Sequence, residues 1–366
     1  VVRVVVAMSG GVDSAVAAGL LAEQGHEVVG LHMKLHSSSA LRAGGGASQI
    51  GRCCGDDDAL DARAVAAALG VPFYVVDLQE AFASAVMDDF ADTFAAGRTP
   101  NPCVQCNGVL KFRVLLSRAL ALGADRLATG HYARVSEGGR LAAAADPAKD
   151  QSYFLYQVTP RALEKTWFPL GELRKDEVRG HAARLALPVA LKPESQEVCF
   201  VPDDDHARFV DAHLAARGKA AAGPGDIVGD DGVVLGRHAG VHGFTIGQRR
   251  GIGVALGKPA WVTSIDAATR QVTVTTDPAR LGATGLVADR AVFGAGSVPD
   301  RVRVRVRHRG GLAPGQLERI GTDGFRVKFD DPVRAVAPGQ AAVLYDGDTV
   351  VGGGTIVRAI RAELAA

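Results

Sequence analysis

The chain opens on a short β-branched run, residues 3–7, whose unbroken apolar character predicts a buried strand. Residues 15–24 are rich in Ala and Leu, place apolar side chains at Val16, Leu20 and Leu21, and stop at Gly25, which predicts a helix. Residues 28–33 supply the next strand, so the first unit reads βαβ. The alternation then repeats. A helix over 61–69 stops at Gly70, a strand follows over 72–77, and a long helical stretch runs from 81 to 96. After a Pro-rich loop, a helix over 109–122 ends at Gly123 and a strand covers 126–129. Strands separated by helices predict a parallel sheet covered on both faces, with ligands at the carboxyl ends of the strands. Met8 to Ser14, Met33 and Gly130 then share one rim.

Residues 34–58 interrupt this rhythm with Ser-Ser-Ser, Gly-Gly-Gly and Asp-Asp-Asp, a long loop of the kind that is usually functional or disordered. Residues 151–215 read as helical. After Gly223-Pro224-Gly225 the character changes to short β-branched segments at 227–228, 262–265, 272–275, 302–306, 325–329, 341–344 and 355–357, punctuated by Gly, Pro and Asp. Such spacing predicts small barrels or sandwiches. Boundaries near 217 and 282 divide the chain into 1–217, 218–281 and 282–366.

Composition narrows the classes. A chain of 366 residues suits two or three domains. With 47% hydrophobic and 22% charged residues it is neither disordered nor collagen-like. No apolar run approaches the ~18 residues of a membrane span, and the apolar start, cut off at Ser9, is too short for a secretory signal core. A net charge of +1 neither demands nor forbids a nucleic-acid partner. Five cysteines make no disulfide framework; an odd count without export signals reads as cytoplasmic, with thiols reduced, metal-bound or reactive.

Ser9-Gly10-Gly11-Val12-Asp13-Ser14 falls between the first strand and the first helix. Its glycines let backbone N–H groups approach a ligand closely, and the helix start adds unpaired N–H groups and a positive dipole end. Ser9 and Ser14 offer hydroxyls, and Asp13 could orient Mg²⁺ or the loop itself. The bland alternative is a Gly turn with a helix cap. The hexapeptide is neither a Walker loop nor a dinucleotide fingerprint. It resembles the pyrophosphate loop of the ATP pyrophosphatases, which implies adenylation of a carbonyl or carboxyl oxygen with release of pyrophosphate.

The cysteines admit three readings. They could be small buried hydrophobes, which suits Cys199 between Val198 and Phe200. Cys53, Cys54, Cys103 and Cys106 could hold zinc, although adjacent cysteines chelate awkwardly. Or thiolates near a helix start could do sulfur chemistry, exchanging a disulfide or passing on persulfide sulfur. The segment Thr99-Pro100-Asn101-Pro102-Cys103-Val104-Gln105-Cys106 reads as an exposed loop just before a helix.

A pyrophosphate loop beside reactive cysteines suggests replacing an activated oxygen by sulfur, and here the chain resembles the MnmA/TrmU family of tRNA-specific 2-thiouridylases over essentially its whole length. The motifs are Ala7-Met8-Ser9-Gly10-Gly11-Val12-Asp13-Ser14, Gly97-Arg98-Thr99-Pro100-Asn101-Pro102, Cys106-Asn107, Lys111-Phe112, Ala128-Thr129-Gly130-His131-Tyr132, Lys149 to Tyr156, Cys199-Phe200, Gly247 to Gly251 and Pro338-Gly339-Gln340. The resemblance implies an adenine-nucleotide hydrolase-like α/β domain, a small β-rich central domain and a C-terminal β-barrel contacting tRNA. It implies ATP as substrate, held by Ala7 to Ser14, Met33 and Gly130, with Mg²⁺ and without a structural metal. Cys106 falls at the nucleophile and Cys199 at the persulfide carrier, joined in a transient disulfide. Asn101, Pro102 and Cys103 fall at contacts to wobble uridine 34; Lys149, Asp150 and Gln151, and Arg307 with His308, fall at tRNA contacts. Implied partners are tRNA, a cysteine desulfurase or sulfur-relay protein and a reductant, with no membrane. Many members carry Asp where Cys103 stands, assigned to proton transfer or base positioning; the thiol would make Cys103 a competitor to Cys106. Cys53 and Cys54 match nothing catalytic, and His131 reads as a structural hydrogen-bonder.

Arg301, Arg303, Arg305, Arg307 and Arg309 alternate with valines and His308, which predicts five guanidiniums on one strand face toward phosphates. Gln248-Arg249-Arg250 is a second candidate contact. Competing readings are an amide-forming ligase with the same loop, an iron–sulfur-dependent thiolase, and a nucleotide- or RNA-binding module with zinc on Cys103 and Cys106.

Overall fold

In the computed structural model the described residues are 1–36, 56–136, 138–194, 198–201 and 204–362. The strand β1 (Arg3–Ala7) leads into helix α1 (Val12–Glu23), β2 (Glu27–Lys34), α2 (Asp56–Leu69), β3 (Phe73–Asp77) and, after a helical stretch, β4 (Arg126–Thr129). The next elements are a hairpin, β5 (Arg134–Ser136) with β6 (Arg140–Ala142), and the two-residue strand β7 (Thr166–Trp167). Five of these strands form a parallel sheet in the order β3-β2-β1-β4-β7. The chain runs outward from β1 to β3, then returns to lay β4 against the other side of β1. The switch point therefore lies between β1 and β4, where the strand ends diverge and leave a crevice.

Alternation along β1 sends its valines to two cores, as a sheet buried on both faces requires. Val5 joins Leu31, Met33 and Leu127 with the aromatic helices around Phe82, Phe90 and Phe112. Val4 and Val6 join Val28, Ala128, the Ala-rich face of α1, and Ala62, Val65 and Ala66 of α2.

The long helical stretch runs as Gln79–Phe82, a π-helical Ala83–Met87, then Asp88–Ala95, close to the expected bounds, while two other expectations about helices change. The segment bearing Cys103 and Cys106 is not a loop before a helix but the start of one. Asn101 caps it, its side-chain oxygen accepting from Val104 N at 3.4 Å, with Pro102 in the first turn. Helix then continues through a π-helical Cys106–Leu115 to Leu116–Ala121. Pro fits the first turn because its missing N–H would be unpaired there. The region 151–215 is likewise less helical than expected, since it contributes β7 between the short helix Pro160–Leu163 and the helix Lys175–Arg184.

Helix His206–Ala216 precedes a four-stranded sheet of β8 (Gly225–Val228), β9 (Val234–His238), β10 (Trp261–Asp266) and β11 (Gln271–Thr275), ordered β10-β11-β8-β9 around Ile227, Val241, Val262 and Val272. The last strands are β12 (Gly282–Phe293), β13 (Arg301–Arg305), β14 (Ala313–Ile320), β15 (Gly324–Arg334), β16 (Ala341–Asp346) and β17 (Thr349–Ile360). They follow the order β12-β15-β14-β13-β16-β17, and β17 pairs back onto β12, so the six strands close into a barrel. The hairpin β5–β6 attaches to this barrel through β17, pairing Ala142 with Thr349. Ala341, Val343, Tyr345 and Val350 of the barrel also join the aromatic core under the parallel sheet. Among the described residues no helix is long and apolar enough to cross a membrane.

The five-arginine stripe is shorter than expected. β13 stops at Arg305, and Gly310 N returns to Arg307 O at 2.9 Å, so Arg307 and Arg309 sit in a turn and not on the strand face. Of the three that remain, Arg301 pairs with Asp330 at 2.5 Å and Arg305 with buried Asp150 at 2.8 Å, while Arg303 donates to Gly347 O.

Candidate functional site

The glycine loop occupies the carboxyl end of β1, at the switch point. Gly10 takes φ +76°, and a Cβ there would lie 2.3 Å from Asp58 O. Across the crevice, at the end of β4, a Cβ on Gly130 would lie 2.6 Å from Ser14 N. Two backbones therefore touch where no side chain fits. The hydroxyl of Ser14, nearly buried, donates to Gly11 O and accepts from Ser9 N, both at 3.1 Å. Its role is to close the loop on itself. No side chain caps the first turn of α1, whose N-cap is Gly11, so its leading N–H groups point at the crevice with a positive dipole end. The arrangement suits an anion. Met33, near the end of neighbouring β2, is buried and paired with Val76.

A chain of charges surrounds the loop. Asp13 accepts from Tyr132 Oη at 2.8 Å and Lys175 Nζ at 2.7 Å. The same ammonium reaches Glu194 at 2.8 Å, and Glu194 takes Lys149 at 2.6 Å. Partial burial would push the Glu194 carboxyl up, but hydrogen bonds from Lys149 and Lys175 overcome it and hold the group at about 2. On the other side of the loop, Lys192 Nζ donates to Gly10 O at 3.1 Å, Asp58 at 2.8 Å and Asp61 at 2.6 Å. Burial lowers the Lys192 ammonium, yet these two carboxylates hold it above its ordinary value.

Cys103 lies in the first turn of its helix and is exposed; Cys106 lies one turn later and is half-buried. Asn107 beside it is buried and donates to Phe154 O at 3.1 Å. Cys199, also half-buried, is anchored by Phe200, which is buried edge-on against Phe82 and Phe90 at centroid distances of 5.4 and 5.1 Å. Cys106 and Cys199 border the same aromatic core. Cys53 and Cys54 lie outside the described residues. The barrel holds the approach to this helix: Thr99 N donates to Pro338 O at 2.8 Å, and Gln340 Nε2 donates to Thr99 O and Pro100 O at 3.2 and 2.9 Å.

The expected RNA contacts are placed unevenly. Lys149 is part-exposed, whereas Asp150 is buried, one oxygen taking Ala144 N and Ser152 N and the other Arg305. Gln151 bonds Tyr132 through both backbone and side chain. His308 packs on Phe154 in a tilted arrangement with ring centroids 4.5 Å apart; burial, then Arg305 and Arg309, lowers its pKa. Arg249 and Arg250 are exposed. His131 is half-buried; loss of water around the ring, then Lys111, lowers its pKa well below the ordinary value, and the ring packs against Phe112 and Phe168 while bonding Thr129.

Residues 2–203 match the family model of the tRNA methyl transferase HUP domain, 209–276 that of the tRNA methyl transferase PRC-barrel domain, and 285–356 that of the aminomethyltransferase β-barrel domain. The tRNA-specific 2-thiouridylase MnmA of Geotalea uraniireducens is 46% identical over 370 residues, covering 99% of this chain and 97% of that one. The enzyme of the same name from Geobacter metallireducens is 46% identical over 360 residues, 97% of this chain and 96% of its own. The chain belongs to the tRNA-specific 2-thiouridylase family. Among solved structures, a 4-thiouridine synthetase–RNA complex with bound ATP overlaps 58% of this chain and 50% of that chain at 15% identity and TM-score 0.38, too low to carry an argument.

Several side chains at this 2-thiouridylase site carried no signal in the sequence. Lys175, Lys192 and Glu194 are ordinary charged residues until the fold brings them to a loop more than 150 positions earlier. Tyr132, Pro338 and Gln340 were visible as motif letters without a role.

Glu194 ionises in the folded protein well below 4.5, its ordinary value, so its ion pairs stabilise fully above that pH and are lost as pH falls from 4.5 through about 2. Glu194→Gln should lower the unfolding temperature at neutral pH and flatten its decline over that acid window, measured by thermal unfolding across pH.

Proposed function

We propose that this chain is an ATP-dependent tRNA sulfurtransferase that converts the wobble uridine 34 of tRNA to 2-thiouridine. The observation that carries this reading is the glycine loop pressed against Gly130 at the switch point of a parallel sheet, in a chain of this family with two cysteines bordering one core. We read its domains as 1–217, catalytic; 218–281, central; and 282–366, the barrel facing tRNA.

ATP lies with its phosphates on the N–H groups of Ala7 to Ser14 and its adenosine beside Met33 and Gly130. Asp13, the carboxylate of the loop, fits a magnesium ion carried in with the polyphosphate, which would offset phosphate charge there. The uridine 2-oxygen attacks the α-phosphorus and the bond to pyrophosphate breaks, leaving an O-adenylate. Adenylation makes that oxygen a good leaving group. A desulfurase or relay protein has loaded Cys199 as a persulfide. Its terminal sulfur attacks carbon 2, the Cys106 thiolate attacks the Cys199 sulfur, and the sulfur–sulfur bond breaks with its electron pair passing to the new thiocarbonyl sulfur. AMP leaves, and a Cys106–Cys199 disulfide remains for a thiol reductant to reopen.

Cys106 suits the nucleophile because it sits in the second turn of a helix whose positive end favours thiolate. Asn101, Pro102 and Cys103, which follow the Thr99-Pro100 backbone held by Gln340, face the target base; Lys149, Gln151, Arg307 and His308 contact tRNA nearby. Buried Asp150 acts here through Arg305, fixing the barrel to the catalytic domain and so setting where the RNA lies.

Two sets of variants test this. Cys106→Ser and Cys199→Ser should each lower 2-thiouridine formation by more than ~100-fold, while Cys103→Ser keeps at least a tenth of it, read by mass spectrometry of nucleosides from treated tRNA. Full thiolation by Cys106→Ser would refute the assignment. Gly130→Ala, whose Cβ would meet Ser14 N at 2.6 Å, should weaken ATP binding by roughly 10- to 100-fold in calorimetry. Unchanged affinity would move the nucleotide away from this crevice.

A further inference from the structure

Lys192 gathers three acceptors from two elements. Its ammonium donates to Gly10 O at 3.1 Å, to Asp58 at 2.8 Å and to Asp61 at 2.6 Å. An ammonium has three N–H donors, so this set is filled. The side chain is 17% exposed, so water competes weakly for those donors. Asp58 and Asp61 stand one turn apart on α2, and Gly10 lies against the backbone of that turn. Asp58 therefore acts twice. Its carbonyl passes so close that Gly10 can carry no Cβ, and its carboxylate holds the ammonium that holds the Gly10 carbonyl.

The peptide between Gly10 and Gly11 is flanked by glycine on both sides. Glycine accepts φ of either sign at little cost, and here φ is +76° at Gly10 and −98° at Gly11. No Cβ at either end resists rotation of this peptide plane. A trans peptide carries its C=O and N–H on opposite edges. Rotation by half a turn would put the Gly10 oxygen where the Gly11 N–H belongs and aim a negative dipole end at a phosphate. The Ser14 hydroxyl closes the loop at Gly11 O and Ser9 N, and neither atom belongs to this peptide.

We infer that Lys192 is a positioning residue for the nucleotide: it pins the Gly10 carbonyl on the far side of the loop and so keeps the Gly11 N–H presented to phosphate. The inference rests on the reading that ATP occupies this loop. The bracket carries one positive and two negative charges, so it draws no anion by charge alone. Its contribution is the direction of one peptide.

The test measures binding of a non-hydrolysable ATP analogue to the full-length protein by calorimetry, and thiolation of tRNA as ATP and tRNA are varied in turn. Lys192→Met fills a similar volume without donors. It should weaken the analogue roughly tenfold and raise KM for ATP by a similar factor, while KM for tRNA stays within about twofold. The ratio to wild type should hold from low to high salt, since salt does not screen a misdirected peptide. Lys192→Arg keeps the charge but sets a longer planar fork where a tetrahedral ammonium stood. It should fold like the wild type and still lose at least about threefold in analogue affinity, which decides the matter if Lys192→Met does not fold. A merely structural role would lower kcat through the folded fraction and leave KM for ATP where it was. That result, wild-type affinity in either variant, or a Lys192→Met deficit that vanishes at high salt would overturn the inference alone. Absence of analogue binding to the wild type would overturn the ATP reading and this inference with it.

Discussion

The structure depends on two close backbone approaches at the glycine loop. At the end of β1 the chain turns sharply against the start of α2, and at the end of β4 it passes against the first turn of α1 with no Cβ between them. Gly10 and Gly130 make this possible: a Cβ on Gly10 would meet Asp58 O at 2.3 Å, and one on Gly130 would meet Ser14 N at 2.6 Å. Because the loop is held by contact with β4 and by the Ser14 hydroxyl, its N–H groups are oriented before any ligand arrives. Preorganised donors lose little freedom on binding, which is what a site for a highly charged substrate requires.

That loop also gathers the charges that connect it to the rest of the molecule. Asp13, Lys175, Glu194 and Lys149 run from the loop to the rim expected to face RNA, while Lys192 binds the loop from the opposite side. The barrel is fixed to this frame by a different set of contacts: Arg305 on buried Asp150, Gln340 on the Thr99-Pro100 backbone, and β17 against β6. In the proposed reaction these brace the helix of Cys106 and the RNA-facing rim against each other, so that base and nucleotide are positioned by one frame of packed strands.

Elements with a strong period were legible in the sequence. β1, its glycine loop and α1 follow from a β-branched run, paired glycines and an Ala-rich stretch, and β4 was read with the bounds it has. The hairpin β5–β6 and the strand β7 were not, because two or three residues carry no alternation to detect. The helix start at Pro102 was hidden by two prolines that suggested a loop, although Asn followed by Pro is also how a helix begins. The arginine stripe misled for a related reason: a period of two continues in the sequence past Arg305, but the backbone turns there. The charge network was illegible altogether, since Lys192 and Glu194 meet partners distant in sequence and nothing local marks them.

The central claim is that this loop brings the α-phosphate of ATP to the 2-oxygen of a wobble uridine. The most direct test is to supply tRNA carrying heavy oxygen at the 2-position of that uridine, with ATP and a sulfur source, and to weigh the AMP released. The account predicts that the heavy oxygen leaves the base as 2-thiouridine forms and appears in the phosphate of AMP. Thiolated tRNA accompanied by unlabelled AMP would contradict it.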